Sequence, residues 1–413
     1  MRINSERLLG DMRKLATFGK DGSGVHRLAF SKADMLAREW LSSRMSEGGL
    51  DPILDGVGNV HGKTRATTRS VLIGSHTDTV PHGGWLDGAM GVIYGLEVAR
   101  CWREQGDLNL GGVDVISFQD EEGAYLSCLG SRSFFGEVKS EEIQTASNSE
   151  GEPLSEMIRL AGLSGRALAR HDPEREIAYL EGHIEQGPQL ESQGVRIGVV
   201  TGIVGIRRFT ITIVGQADHA GTTPMSMRKD AVAVLMELGT RLFQDFRNLG
   251  SPETVWNLGN IVISPGAANV VPAKAELSVE FRDTTPEVLT RLEAAVAEAI
   301  GHLAASSPCV VESRPVLNLE PAAMDPALGR ALHQAAEDHG LSHMAMPSGA
   351  GHDAMVCSRH LPSAMLFVPS IGGRSHDVAE HTADEDIVNG AQVLLTAVQA
   401  LLGHEPNFLG HGK

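Results

Sequence analysis

The sequence predicts an α/β protein: a mostly parallel sheet covered by helices, interrupted by an inserted βαββαβ unit of ferredoxin-like order. Three observations carry this. First, short apolar runs such as Val71–Gly74 and Val113–Phe118 alternate with helix-period segments, the pattern of a parallel sheet buried on both faces. Second, the order changes near Arg207 to strand, helix, strand, strand, helix, strand, which is a self-contained split-βαβ arrangement. Third, 413 residues exceed what one simple core organises. We therefore expect one domain from residues 1–206 and 321–413, and a second from 207–320.

Taken in order, Asn4 or Ser5 caps a first helix running to about Phe18, and Ser31 with Asp34 opens a second. The second helix carries Leu36, Ala37, Trp40, Leu41 and Met45 as its apolar stripe. Asp51 to Lys63 alternates as a strand pair about a Gly turn, and Val71–Gly74 is the next strand. A helix from Gly88 to Gln105 has Gly88, Gly91 and Gly95 where it approaches the sheet. Val113–Phe118 is a strand, followed by a helix near Leu129 to Phe135 and an exposed polar loop from Ser140 to Glu152. Ile177 to Glu185 and Val195 to Val204 are strands. In the insert, strands at Arg208–Val214, Val255–Ile263, Lys274–Phe281 and Val310–Val316 accompany helices at Lys229–Phe246 and from Thr285-Pro286 to about Ala305. The first pattern then resumes: a helix from Pro326 to His339, a Gly-rich turn from Ser348 to His352, a strand from Ala364 to Val368, and a final helix from Asp384 to Leu402.

Lys+Arg of 35 against Asp+Glu of 52 gives a net charge of −17, which argues against nucleic acid and anionic membrane surfaces as partners. No apolar run approaches the roughly 20 residues of a membrane span. The amphipathic N-terminus has no signal-peptide core. Cys101, Cys128, Cys309 and Cys357 are scattered without a CxxC spacing and read as reduced thiols, so the expected location is cytoplasmic.

The chemistry gathers at strand ends, where open α/β sheets build their sites. His76 and Asp78 follow the Val71–Gly74 run, and Asp87 stands at the mouth of the next helix. Glu121-Glu122 follow the Val113–Phe118 run, His183 lies near the end of Ile177–Glu185, and His376 sits on a late loop. His and carboxylate groups on rigid backbone suit divalent cations. Five of these groups make a two-metal site if Asp87 bridges: His76, Asp87 and His183 for one ion, Asp87, Glu122 and His376 for the other. The glycines between His76 and Asp87 supply the backbone freedom for both to converge. Asp78 can orient the His76 imidazole from behind. Adjacent residues on an irregular loop point apart, so one of Glu121 and Glu122 can bind metal while the other serves as general base.

These stretches resemble the dinuclear metallo-amidohydrolases related to aminoacylase and carboxypeptidase, most closely the N-carbamoyl-L-amino-acid hydrolase and allantoate amidohydrolase branch. The resemblance lies in GSHTDTVPHGGWLDGAMGV, FQDEEG with LGSR, HIEQGPQLE, GQADHAGTTPM, NVVPAKAELSVEFRD, SGAGHDAM and FVPSIGGRSHDVAEHT, spread from residue 71 to 382. It implies that His76, Asp87, Glu122, His183 and His376 hold two divalent ions (zinc or manganese, with cobalt or nickel as alternatives), and that Glu121 is the general base. It implies an inserted domain that is both lid and homodimer interface. His219 would stabilise the oxyanion, from its own or the partner subunit. Asn269 and Arg282 would hold the substrate carboxylate, and an Arg fork matches that task. Gln186 and the Ser348 to His352 turn, with Gly349, Ala350 and Gly351, would line the pocket. The chain departs from the family at Ala124-Tyr125-Leu126, at Gly373-Arg374-Ser375 and around His381, which bears on substrate identity.

The expected reaction is hydrolysis of a linear, non-peptide C–N bond. The leading substrate is an N-carbamoyl-L-amino acid, giving amino acid, carbon dioxide and ammonia. Allantoate or ureidoglycolate hydrolysis, or an aminoacylase or dipeptidase reaction at the same site, is the sister reading. An inactive homologue acting as a binding protein is the rival of another class, and the presence of all five ligands and Glu121 weighs against it. His26, His61, His171, His302, His333, His339, His343, His360, His404 and His411 are read as surface residues. His82 falls in the central motif where no ligand is expected. Trp85, between the ligands, faces either substrate or core.

Overall fold

Four parallel strands place the chemistry-bearing residues along one edge of a sheet. The computed structural model describes residues 1–65 and 67–403, so His404 and His411 lie outside the described residues. The chain divides into two compact units, Met1–Thr201 with Ala323–Lys413, and Gly202–Ala322. In the first, Ser363–Val368, Glu176–Ile184, Ser70–His76 and Gly112–Phe118 run parallel side by side. Antiparallel strands extend both flanks: the hairpin Leu50–Leu54 and Val60–Thr64 beyond Gly112–Phe118, and Ile197–Ile203 beyond Ser363–Val368. The sheet is thus mixed, with a parallel centre.

Register explains the convergence. His76 pairs with Phe118, so the Glu121-Glu122 loop begins beside His76. Ile73 pairs with Leu180, and His76 and His183 each lie three residues further along. Every residue of Ser70–His76 and Gly112–Phe118 is buried, as expected of strands covered on both faces. The helix Ala89–Gln105 crosses this centre, buried from Ala89 to Trp102. Its Gly91 and Gly95 lie so close to the strands that a β-carbon would meet the main-chain oxygens of Gly182 and Ile73 at 2.8 and 2.9 Å.

The flanking helices follow their local signals. Asn4 caps Ser5–Leu15 by accepting from Arg7 N at 3.1 Å, and Ser31 caps Lys32–Glu47 by accepting from Asp34 N at 3.2 Å. The final helix, Asp384–Gly403, is long and apolar enough to cross a membrane by length and composition. Its Ile387, Val393, Leu394 and Val398 are instead buried in the core with the Ala89–Gln105 helix.

Three expectations are corrected. Leu36 is 44% exposed. The buried face of its helix runs through Asp34, Ala37, Arg38, Leu41 and Met45, so an ion pair displaces Leu36 from the core side. The polar stretch after Lys139 is not a loop throughout: Ser140–Thr145 is helical, started by Glu142, whose carboxylate accepts from Lys139 N at 3.0 Å. Ile143 anchors it against a satellite core that includes Leu154 and Ile158. His61 is fully buried rather than on the surface. Its strand is paired on both sides, and the Phe134 ring packs edge-on against the imidazole at 5.3 Å.

The second unit is a four-stranded antiparallel sheet in the order Val255–Ser264, Lys274–Asp283, Gly205–Val214, Val310–Leu319. Helices Ala231–Leu249 and Pro286–Ser306 contribute Leu238, Leu242, Leu292 and Val296 to a core with Ile211, Ile213, Leu277 and Val279. Strand alternation puts Arg208, Glu280 and Arg282 on the sheet face away from that core.

Candidate metal centre

Asp87 is the hub of the site. Its Oδ1 lies 3.0 Å from His183 Nε2 and 3.7 Å from His76 Nε2, while its Oδ2 lies 3.1 Å from His376 Nε2. His376 Nε2 is also 3.6 Å from Glu122 Oε1, and His76 Nε2 is 3.6 Å from Glu121 Oε2. Among the donor groups of metal-ligating size, His76–Asp87–His183 and Asp87–Glu122–His376 share Asp87 through its two different oxygens. This is the donor arrangement of two cations bridged by one carboxylate, so the residues present fit such a pair.

The local backbone is built for this approach. Gly88 takes φ of 62°, and a β-carbon there would stand 2.4 Å from the His76 ring. Gly88 N also donates to His183 Nε2 at 3.0 Å. Asp120, Gln186 and His376 are non-glycine residues at φ of 57°, 59° and 54°. Such sparsely populated conformations concentrate at functional sites.

The electrostatics describe a nest of carboxylates in want of positive charge. Burial raises Glu121 well above the usual carboxylate range, and the neighbouring Glu122 charge adds to it. Burial, then the Asp87 charge, pushes Glu122 up to about 8. Burial acts the same way on Asp87, but hydrogen bonds from His183 and His376 prevail and hold it well below its ordinary value. Burial opposes protonation of His183, yet the Asp87 bond outweighs it and raises that imidazole to about 9. His376 rises to about 9, chiefly through its Asp87 bond. Burial lowers His76 to about 4, so it is neutral and ready to ligate.

Asp78 does not act on His76 as expected. The imidazole Nδ1 meets the main-chain oxygen of Asp78 at 2.9 Å, and the carboxylate is 3.9 Å away. That carboxylate instead accepts from Asp120 N at 3.1 Å and Glu122 N at 3.3 Å, clamping the loop that carries Glu121.

Gln186 Nε2 donates to Asp87 Oδ2 at 2.9 Å, while its Oε1 is buried with no hydrogen-bond partner among the described residues. The turn with Gly349, Ala350 and Gly351 is closed by Ser348 Oγ, which accepts from Ala350 N at 3.2 Å. His352 Nε2 lies 2.9 Å from Ser348 Oγ, and its ring packs edge-on to His183 at 4.5 Å, which brings this turn beside the hub. Trp85 is half-buried and stacks on His381 at 6.2 Å. A cavity of about 350 Å³ opens beside Glu122, walled by Leu28, Val80, Pro81, Tyr125 and Met157. Tyr125 is one of the positions where the chain departs from the family pattern.

His219, Asn269 and Arg282 belong to the second unit. His219 and Asn269 are exposed on adjoining loops: His219 bridges Val270, and Ala220 N donates to Asn269 O at 3.0 Å. Arg282 lies on the strand Lys274–Asp283, where Glu280 accepts from its Nε at 2.9 Å.

Sequence reasoning missed Glu380 and Ser375. Glu380 Oε1 accepts from Leu86 N and Asp87 N at 2.9 and 3.1 Å, and Ser375 Oγ donates to Glu380 Oε2 at 3.1 Å. Ser375 Oγ also lies 3.2 Å from Asp87 Oδ2. The pair ties the hub to the His376 loop across nearly 300 residues, a relation that no local spacing reveals.

Known proteins resemble this chain over nearly its whole length. The model of the peptidase family M20/M25/M40 matches residues 72–400. An N-carbamoyl-L-amino-acid amidohydrolase of Paenarthrobacter aurescens is 34% identical over 408 residues, covering 97% of this chain and 98% of that protein. An allantoate amidohydrolase of Escherichia coli is 32% identical, covering 92% and 94%. The crystal structure of an amidase of the hydantoinase/carbamoylase family from Burkholderia phymatum superposes with a TM-score of 0.92 at 44% identity, covering 97% and 98%. A family model matching most of the chain, and relatives and a fold shared over nearly all of it, place this protein in the peptidase family M20/M25/M40 as an amidohydrolase of linear amide bonds.

Proposed function

We propose that the protein hydrolyses the carbamoyl C–N bond of an N-carbamoyl-L-amino acid, releasing amino acid, carbon dioxide and ammonia. The observation that carries this reading is the Asp87 hub with Glu121 placed beside it, 3.6 Å from His76. His76, Asp87 and His183 would hold one divalent ion, and Asp87, Glu122 and His376 a second, zinc or manganese being the first candidates. When bound, such ions acidify the attacking water and polarise the scissile carbonyl.

Glu121 takes the proton of the attacking water and returns it to the leaving nitrogen. Burial and the adjacent Glu122 charge raise its proton affinity in the metal-free protein. Gln186 Oε1, buried without a partner, is an acceptor suited to the N–H groups of a ureido substrate, which an acetyl group lacks. Arg282 and Asn269 recognise the substrate carboxylate, and His219 stabilises the oxyanion. We further propose that the second unit is a lid and the homodimer interface. Its edge strand exposes Val255, Ile261 and Val262 at 55%, 51% and 49%, a row of apolar groups that pairing would cover. The proposed location is cytoplasmic.

The deciding experiment is ammonia release from N-carbamoyl amino acids and from allantoate, after dialysis against chelator and re-addition of each metal. Turnover of N-carbamoyl amino acids is the expected result. Preference for allantoate assigns the sister activity, which a relative's name also favours. Release of acetate, or of two amino acids, overturns the carbamoyl reading.

A further inference from the structure

The Glu121 loop needs a support that neither Asp78 nor the strand supplies alone. Asp78 grips the main chain on either side of Glu121, at Asp120 and Glu122, yet it is itself a carboxylate only 1% exposed. A buried anion holds position only if it is paired and hydrogen-bonded. Its partner is Arg38, 0% exposed, whose Nη2 lies 3.7 Å from Asp78 Oδ1.

Arg38 spends its other donors on the same segment. Nη2 donates to Phe118 O at 3.1 Å, and Nη1 to Ser117 O at 3.4 Å and Gly58 O at 3.0 Å. Nε donates to Asp34 Oδ1 at 2.9 Å, and Asp34 Oδ2 accepts from Gln119 Nε2 at 2.9 Å. The guanidinium therefore reaches Ser117 and Phe118 directly, Gln119 through Asp34, and Asp120 and Glu122 through Asp78. Glu121 is the one residue of the run that this network does not grip, and its carboxylate lies 3.6 Å from His76. A second buried cation, Arg27, holds the adjoining strand end: its Nε donates to Thr77 O at 2.6 Å. Both arginines are buried with Asp34 and Asp78, and the ion pairs run Asp34–Arg38–Asp78.

We propose that Arg38, with Asp34 as its anchor, is a positioning residue for the general base Glu121. The inference rests on the reading of Glu121 as base, and it explains why a helix otherwise remote from the chemistry buries an ion pair where Leu36 was expected. Only a planar fork serves here: a lysine keeps the charge but cannot span Asp34, the strand carbonyls and Asp78 at once.

The test is a double-mutant cycle on the metal-loaded protein. Arg38→Lys and Glu121→Gln are made singly and together, with metal content and thermal melting measured beside ammonia release. With Glu121 present, Arg38→Lys is expected to lower kcat about 10- to 100-fold while metal content and KM hold, since a small misplacement of a catalytic group costs that much. In the Glu121→Gln background the same change is expected to cost less than about 3-fold, because the group it positions is gone. Equal losses in both backgrounds, an unchanged kcat, or a loss repaired by excess metal overturns the proposal. Should Arg38→Lys not fold, Asp34→Asn is read by the same criterion. Full turnover by Glu121→Gln would break the base assignment itself, separately from Arg38.

Discussion

The two units present their candidate residues in opposite ways. In the first, His76, Asp87, Glu121, Glu122 and His183 are buried or nearly so, with His76 and His183 on parallel strands, Glu121 and Glu122 just past one, and Asp87 at a helix mouth. Each touches another of the group, so their roles constrain one another. In the second, His219 and Asn269 stand exposed on loops, and Arg282 lies on an antiparallel strand held by Glu280. The contrast teaches that the buried unit fixes what chemistry is possible, while the exposed residues of the other suit recognition. Rigid burial makes a proton or metal site exact, and exposure leaves groups free to meet a substrate.

The largest test of this contrast is removal of metal. Chelation is expected to take ammonia release to background, and re-addition to restore it, while Gly202–Ala322 keeps its own core. Cation affinity is expected to rise with pH. In the metal-free protein Glu122 holds its proton up to about 8, and His183 and His376 hold theirs up to about 9, so below that range binding must expel protons. Calorimetry in buffers of different ionisation enthalpy will show proton release at pH 7; no release would mean that Glu122, His183 and His376 have already lost their protons.

Next in size, Glu121→Gln is expected to lower kcat by about 10²- to 10⁴-fold with metals retained, the usual worth of a general base. Metal analysis beside steady-state kinetics checks both halves. Arg282→Lys probes the other unit: the loss of a fork on a carboxylate should raise KM about 10- to 100-fold and leave metal content untouched. A fall in kcat with unchanged KM would erase the division of labour. The smallest effect is expected from Asp230→Ala. Asp230 caps Ala231–Leu249 by accepting from Val232 N and Ala233 N at 3.0 and 3.2 Å. Its loss should cost about 1 kcal/mol of stability, seen in denaturant melts, without altering metal binding.

What was legible in the sequence was what local rules govern. The Ser31 cap, Asn4 as one of two candidate caps, the apolar runs Val71–Gly74 and Val113–Phe118, and the βαββαβ order all follow from spacing and residue type. His76, Asp87, Glu121-Glu122 and His183 were visible for the same reason: each sits at the end of an element that periodicity identifies. The burial of His61 was not, because it depends on strands pairing on both sides of Val60–Thr64. The helix Ser140–Thr145 hid in polar composition, since one Glu142 cap and one Ile143 contact decide it.

The sequence by itself therefore determined the elements, the fold class and the kinds of donor available, since these depend on period and chemistry along the chain. Only the tertiary structure decided how the donors divide. It set Asp87 between two histidine groups, turned the Asp78 carboxylate from His76 to the Glu121 loop, and seated Arg38 beneath that loop. It also brought Glu380 onto the Asp87 main chain. Those relations join residues from 11 positions apart, His76 and Asp87, to 293 apart, Asp87 and Glu380, and they are set by strand register and by the requirement that buried charges find partners.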